Sequence, residues 1–229
     1  MTIKESHFDS IELAARALSG QLAEVLRNAI NQRGQAVLAV SGGRTPQMVF
    51  EHLQKEHVDW RKVIITLSDE RWVAADHVDS NENLTRRYLL QGNAAAARFL
   101  PLYGGEETPQ IGQPECEQRL KNLSQNIDAI YLGMGEDGHF ASLFPASPAL
   151  EVTDSLCVAV DVPDREPRVA RITLSSSAII NSENIYLLFS GNLKMEKYQR
   201  AKTPGSASEL PLRLLLRNDR TKINVLIID

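Results

Sequence analysis

Cysteine is almost missing from this 229-residue chain, with Cys116 and Cys157 as its two thiols. Two thiols build no disulfide framework, and neither sits in a C-x-x-C spacing that would suggest zinc or redox chemistry. No apolar run approaches the ~18 residues of a membrane span. The opening MTIKESHFDS holds no apolar stretch of the secretory kind, so a cytoplasmic location is expected. Nor is one sign of charge in large excess: 25 Lys and Arg stand against 29 Asp and Glu, a formal net charge of −4. Without a basic stripe to displace counterions, nucleic acid is not an expected partner, and neither is a membrane. G-x-S-x-G, the mark of one large class of serine hydrolases, is missing. So are H-E-x-x-H and any clustered His, Cys and Asp set for a metal, and no cofactor is expected.

What is present fits an ordinary globular protein, with 43% hydrophobic and 24% charged residues. A chain of this length buries roughly 70% of its unfolded surface, enough for a full core. Strand-like apolar runs alternate with helical periodicity. Asp9 and Glu12 predict the start of a first helix and Gly34 its stop. Ala36–Val40 is a continuous apolar run, as in a strand buried on both faces, and a helix is predicted from Thr45 and Pro46. Strands are likewise expected at 63–67, 127–132, 156–160, 171–174, 185–189 and 223–228, with a helix from Asp79-Ser80-Asn81 and another through Lys194. Gly104-Gly105 and 109–114 mark a loop, and the stretch 101–114 is either a lid or plain surface. The alternation predicts an α/β fold: a doubly wound, mainly parallel, Rossmann-like sheet flanked by helices, with room for a small additional lobe. One domain spanning 1–229 is expected, since no linker or repeat interrupts it.

In such sheets ligands bind beyond the carboxyl ends of the strands, so the segments leaving each strand carry the argument. The first is Ser41-Gly42-Gly43-Arg44-Thr45-Pro46. Its glycines let backbone N–H groups approach a ligand, and a helix N-terminus follows; it is either an anion cradle or a tight turn. This loop matches neither the dinucleotide fingerprint nor the P-loop. The second is Ser68-Asp69-Glu70-Arg71, a polar network in a cleft or a solvated turn. The third is Gly133-Met134-Gly135-Glu136-Asp137-Gly138-His139, where an Asp and a His lie two apart among three glycines. Imidazole, with an ordinary pKa of about 6.5, is suited to taking a proton from water near neutrality. Arg171 opens a strand and Lys194 a helix, each a clamp for an anion or a solvated charge.

Taken in order, these segments resemble the signatures of the 6-phosphogluconolactonase family, within the glucosamine/galactosamine-6-phosphate isomerase superfamily. The resemblance rests on Ser41–Pro46, Ser68-Asp69-Glu70-Arg71-Trp72-Val73, Asp79-Ser80-Asn81 and the run from Gly133 through His139-Phe140-Ala141-Ser142-Leu143-Phe144-Pro145. It extends to Gly191–Lys194 and the Leu-Pro-Leu-Arg stretch near the end, so it covers nearly the whole chain. In the deaminase branch the loop after Asp-Gly-His continues toward an Asn-Glu-Pro-type acid. Here Ala141–Pro145 holds no carboxylate, which favours the lactonase. One departure is the triple serine Ser175–Ser177. The resemblance implies hydrolysis of a sugar-phosphate lactone, a small-molecule substrate, with neither metal nor nicotinamide. It implies His139 as general base with Asp137 as its neighbour, and a catalytic part for Asp69. Ser41, Gly42, Gly43, Arg44 and Thr45 are implied as the phosphate loop, and Arg71, Arg171 and Lys194 as the facing cations. A monomer or weak homodimer is expected.

Overall fold

The computed structural model describes residues 3–123, 126–164, 166–218 and 221–229. In chain order its elements are β1 (Ile3–Phe8), α1 (Ile11–Arg33), β2 (Ala36–Val40), α2 (Arg44–Leu53), β3 (Val63–Leu67), β4 (Asp69–Arg71), α3 (Asn81–Tyr88), β5 (Arg98–Phe99) and α4 (Pro109–Lys121). There follow β6 (Ala129–Leu132), β7 (Cys157–Val160), β8 (Arg171–Leu174), α5 (Ser176–Ile180), β9 (Asn184–Ser190), α6 (Asn192–Ala201), α7 (Leu212–Leu216) and β10 (Lys222–Ile228).

Among the described residues, seven strands form one sheet in the order β1-β10-β9-β6-β2-β3-β5, with parallel pairing throughout. All residues of β2, β3 and β6 are buried, which is why their sequences run apolar without alternation. Helix α1 lays Ala14, Leu18, Leu22 and Leu26 against this sheet at four-residue spacing, one stripe of a helical surface. Its C-terminus closes on Gly34 at φ 80°, a left-handed conformation that glycine adopts without a Cβ penalty. From β2 the chain moves outward through β3 to β5; it then returns to the other side of β2 as β6 and proceeds through β9 to β10. The strand order therefore reverses between β2 and β6, and a crevice opens where loops leaving such neighbours diverge.

A second sheet of three antiparallel strands, β4-β8-β7, takes up the segments expected as strands at 156–160 and 171–174. It is joined to the main sheet through Ser68, whose N–H donates to the Val40 carbonyl and whose own carbonyl accepts from Leu174 N. Two local expectations are corrected, and one strand was not expected. Helix α1 is capped by Ser10, whose side chain accepts from Leu13 N, one residue later than the predicted Asp9. Residues 109–114 are the first turns of α4, not a loop: Thr108 caps the helix, Pro109 fits its first turn, and Pro114 lies on an exposed side. Strand β1 escaped notice because IKESHF is a polar edge strand, with Lys4, Glu5 and His7. No helix among the described residues is long and apolar enough to cross a membrane.

Candidate active site

Loops leaving β2, β3 and β6 meet in a cleft of about 270 Å³ at the point where strand order reverses. Among the described residues, four cationic side chains, Arg44, Arg71, Arg171 and Lys194, line it against a single carboxylate, Asp69. The local field thus favours an anion although the chain as a whole is acidic. Ser41 through Thr45 line the same cleft.

In the β2 loop, a Cβ at Gly42 would lie 1.7 Å from Asn81 Oδ1, so only glycine lets the loop approach α3 this closely. Gly43, at φ 122°, opens α2 without a capping side chain, and Gly191 does the same for α6. By contrast α1, α3, α4 and α5 are each capped by a Ser or Thr hydroxyl. Helices α2 and α6, which bring Arg44, Thr45 and Lys194 to the cleft from their first turns, therefore begin with N–H groups that no side chain caps and with the positive end of the helix dipole.

The β3 loop is no solvated turn. Ser68, Asp69 and Glu70 are 0%, 6% and 1% exposed. Ser68 Oγ donates to one Asp69 oxygen at 3.0 Å and Ser142 Oγ to the other at 2.6 Å. Ser41 Oγ lies 2.8 Å from Ser68 Oγ, and Arg171 Nη1 stands 4.0 Å from Asp69, the outer limit of ion pairing. One carboxylate thereby ties the exits of β2, β3 and β6 together. Glu70 faces away from this network: it accepts from Arg71 N (2.7 Å), Asn81 N (2.7 Å), Glu82 N (2.7 Å) and Ser80 Oγ (3.1 Å). Burial pushes its carboxyl up to about 7, against the opposing pull of these four donors. Arg71 Nη1 donates to the Asp79 carbonyl at 2.5 Å, while its Nε is buried with no partner among the described residues.

In the β6 loop, Gly135 N donates to the His139 carbonyl (2.9 Å) and Gly138 N to that of Gly135 (3.0 Å), closing a tight turn. Gly138 holds it at φ 82°. The turn sets His139 Nδ1 2.5 Å from Asp137 Oδ1, an oxygen that also accepts from His139 N at 3.1 Å. His139 lines the cleft and Asp137 does not, so the carboxylate holds the ring from behind. Phe144 packs on that ring with centroids 4.8 Å apart and lies 5.5 Å from the Arg171 guanidinium carbon. From outside, Leu212 N donates to the Gly138 carbonyl, bracing the turn against α7.

The candidate residues named from sequence thus share one cleft, except Asp137, which stands behind it. Sequence reasoning gave no individual role to Asn81, Ser142, Phe144 or Glu70, although each lies in a segment it singled out: Glu70 in Ser68–Arg71, Asn81 in Asp79-Ser80-Asn81, and Ser142 and Phe144 three and five residues beyond His139. Residues 133–138 also spell G-x-G-x-x-G after a strand, but a β-bridge between Phe140 and Leu143 follows instead of a helix, so the dinucleotide context is not met.

The fold and the cleft combine a doubly wound parallel sheet with an imidazole held by a carboxylate beside a cationic crevice, an arrangement able to take a proton next to a bound anion. The family model described as glucosamine-6-phosphate isomerases/6-phosphogluconolactonase matches residues 9–224, and the chain belongs to that family. It is 38% identical over 206 residues to the 6-phosphogluconolactonase of Pseudomonas aeruginosa, covering 89% of this chain and 87% of that one. It is 35% identical over 221 residues to that of Rhizobium meliloti, covering 95% of each. The crystal structure of a 6-phosphogluconolactonase from Shewanella baltica superposes with a TM-score of 0.94 at 39% identity, covering 100% of this chain and 98% of that one. A monomeric glucosamine-6-phosphate deaminase, at 18% identity and a TM-score of 0.82, shares the fold.

Proposed function

We propose that this protein hydrolyses 6-phospho-D-glucono-1,5-lactone to 6-phospho-D-gluconate, the second step of the oxidative pentose phosphate pathway. The observation that carries the reading is the meeting of the Asp137-oriented His139 with four cations in one cleft. The membership of the family and the names of its relatives support it.

A δ-lactone holds its ester in the reactive cis form, so the protein has chiefly to place a water and steady the developing oxyanion. Nδ1 of His139 is engaged by Asp137, and in this reading Nε2 takes a proton from water as its oxygen attacks C1. Collapse of the tetrahedral intermediate breaks the C1–O5 bond, and the same proton passes to O5. Nothing in these steps calls on a metal or nicotinamide. The phosphate is remote from C1, so its clamps supply binding energy that fixes the ring's orientation. Guanidinium suits that work because it engages phosphate oxygens in pairs. The unpartnered Nε of Arg71 and the uncapped starts of α2 and α6 support Ser41–Thr45, Arg71, Arg171 and Lys194 as the phosphate side.

The test is a coupled assay in which lactone is generated in situ and acid release is followed against the uncatalysed background. Release of ammonia from glucosamine 6-phosphate, without lactone turnover, would instead assign the deaminase reaction. Arg71→Ala and Lys194→Ala should each raise KM for the phosphorylated lactone by on the order of tenfold to a hundredfold, the worth of a charged hydrogen bond of ~1.5–3 kcal/mol. Turnover of unphosphorylated glucono-1,5-lactone should be spared; equal losses on both substrates would remove these residues from phosphate binding.

Asp69 is part of the proposal as a positioning group, since its two oxygens are occupied by serine hydroxyls. Hydroxyls can reverse their donation, so Asp69→Asn should retain activity within about tenfold. A loss as deep as that of a His139 variant, in folded protein, would return Asp69 to the chemistry. A cytoplasmic location and a monomeric or weakly dimeric state belong to the same reading, and are checked by cell fractionation and light scattering.

A further inference from the structure

Glu70 is a buried carboxylate that the mechanism above does not use. Its side chain reaches across to the first turn of α3 and collects four donors, three of them backbone N–H groups and the fourth the Ser80 hydroxyl. The Ser80 oxygen already accepts from Asn83 N at 3.1 Å as the helix cap, so its proton is the one directed at Glu70. All four contacts therefore point toward the acid, the arrangement of an ionised carboxylate. Two of the three backbone donors belong to residues that line the cleft, Arg71 and Asn81. One carboxylate thus fixes the main chain on either side of the anion-facing wall. It holds Arg71 at the end of β4, and it holds the α3 turn where Asn81 is wedged against Gly42, with Asn81 Nδ2 donating to the Asp69 carbonyl at 2.8 Å. The Asp79 carbonyl that receives the Arg71 guanidinium lies in the same short segment, immediately before Ser80.

We propose that Glu70 is a positioning residue for substrate-phosphate recognition: it locks Arg71 and the Asn81 turn into the geometry that grips the phosphate, without touching the substrate. This rests on the reading of the Arg71 side of the cleft as the phosphate side. Arg71 Nε is buried without a partner among the described residues, which fits a guanidinium held ready for an anion. Were Glu70 only a helix cap, its loss would lower stability and leave substrate discrimination untouched. As a positioning residue, its loss must separate phosphorylated from unphosphorylated substrate.

Glu70→Gln is the variant of choice, being of equal size. Its amide offers one acceptor oxygen and turns an NH2 group toward backbone N–H groups, so part of the four-donor set is broken. Wild type and variant are assayed side by side with 6-phosphoglucono-1,5-lactone and with glucono-1,5-lactone, and 6-phosphogluconate binding is followed by calorimetry. The expected result is a rise of about tenfold or more in KM for the phosphorylated lactone and in Kd for 6-phosphogluconate. The kcat should stay within about threefold, and kcat/KM for the unphosphorylated lactone should be unchanged. Equal losses on both lactones, a fall confined to kcat, or unchanged affinity for 6-phosphogluconate would each overturn the proposal. Absence of lactone turnover by the wild type would overturn the functional reading itself, and is seen separately from the variant's behaviour. Should Glu70→Gln not fold, Ser80→Ala removes one of the four donors and carries the test. A smaller rise in KM, about threefold at constant kcat, supports the assignment; an unchanged KM overturns it.

Discussion

Replacing His139 by Ala should cut kcat for the phosphorylated lactone by on the order of 10²–10⁴-fold, the usual worth of a positioned general base. That corresponds to about 3–5 kcal/mol of barrier. The Kd for 6-phosphogluconate should change little, because the proposal gives the ring to the water and C1 and the phosphate to the cations. The fold should survive: the His139 side chain is 24% exposed, and the turn that carries it is closed by backbone bonds from Gly135 to His139 and from Gly138 to Gly135. Lactone hydrolyses slowly unaided, so rates must be read after subtracting that background, and thermal melting must show a folded variant. A folded His139→Ala enzyme with near-normal kcat would remove the imidazole from the reaction. It would leave the cleft as a binding site whose water is activated elsewhere.

How far sequence carried the fold depended on where each strand sits. β2, β3 and β6 are buried on both faces at the centre of the sheet and show as unbroken apolar runs. β1 lies at the edge, and exposed Lys4, Glu5 and His7 among half-buried positions, with two of them adjacent, hid it. The prolines of α4 were misleading because Pro109 obeys the rule for helix starts while Pro114 breaks the rule for interiors. The site divides in the same way. Asp137 and His139 are two residues apart, so their pairing could be expected from one loop. Ser142 and Asp69 are 73 residues apart, and their 2.6 Å contact exists only because β3 and β6 flank β2. For Glu70 the Ser-Asp-Glu-Arg segment left open both a polar network and a solvated turn. Its part emerges only when the second sheet buries it and α3 brings its N-terminus across. Local motifs thus named groups that line the cleft, whereas the groups that hold them in place are products of tertiary structure.

Gly135→Ala should disable the enzyme almost as deeply while removing no functional group. A Cβ at this position would fall 2.1 Å from His139 Nδ1, 2.2 Å from Cε1 and 2.7 Å from Asp137 Oδ1, distances no real contact allows. The obstacle is the tip of a side chain and not backbone, so the imidazole yields while the turn remains. Its 2.5 Å contact with Asp137 is then lost, and Nε2 moves with the ring. A displacement near 1 Å costs on the order of 10²-fold in rate, so kcat should fall by about that factor with melting temperature and 6-phosphogluconate affinity nearly unchanged. Coupling makes the argument sharper than the single variant does. If the methyl acts only by moving the imidazole, adding Gly135→Ala to His139→Ala should cost nothing further, whereas independent effects would multiply. A double variant about 10²-fold slower than His139→Ala alone would show that Gly135 serves the reaction by another route, such as the approach of its backbone to the substrate.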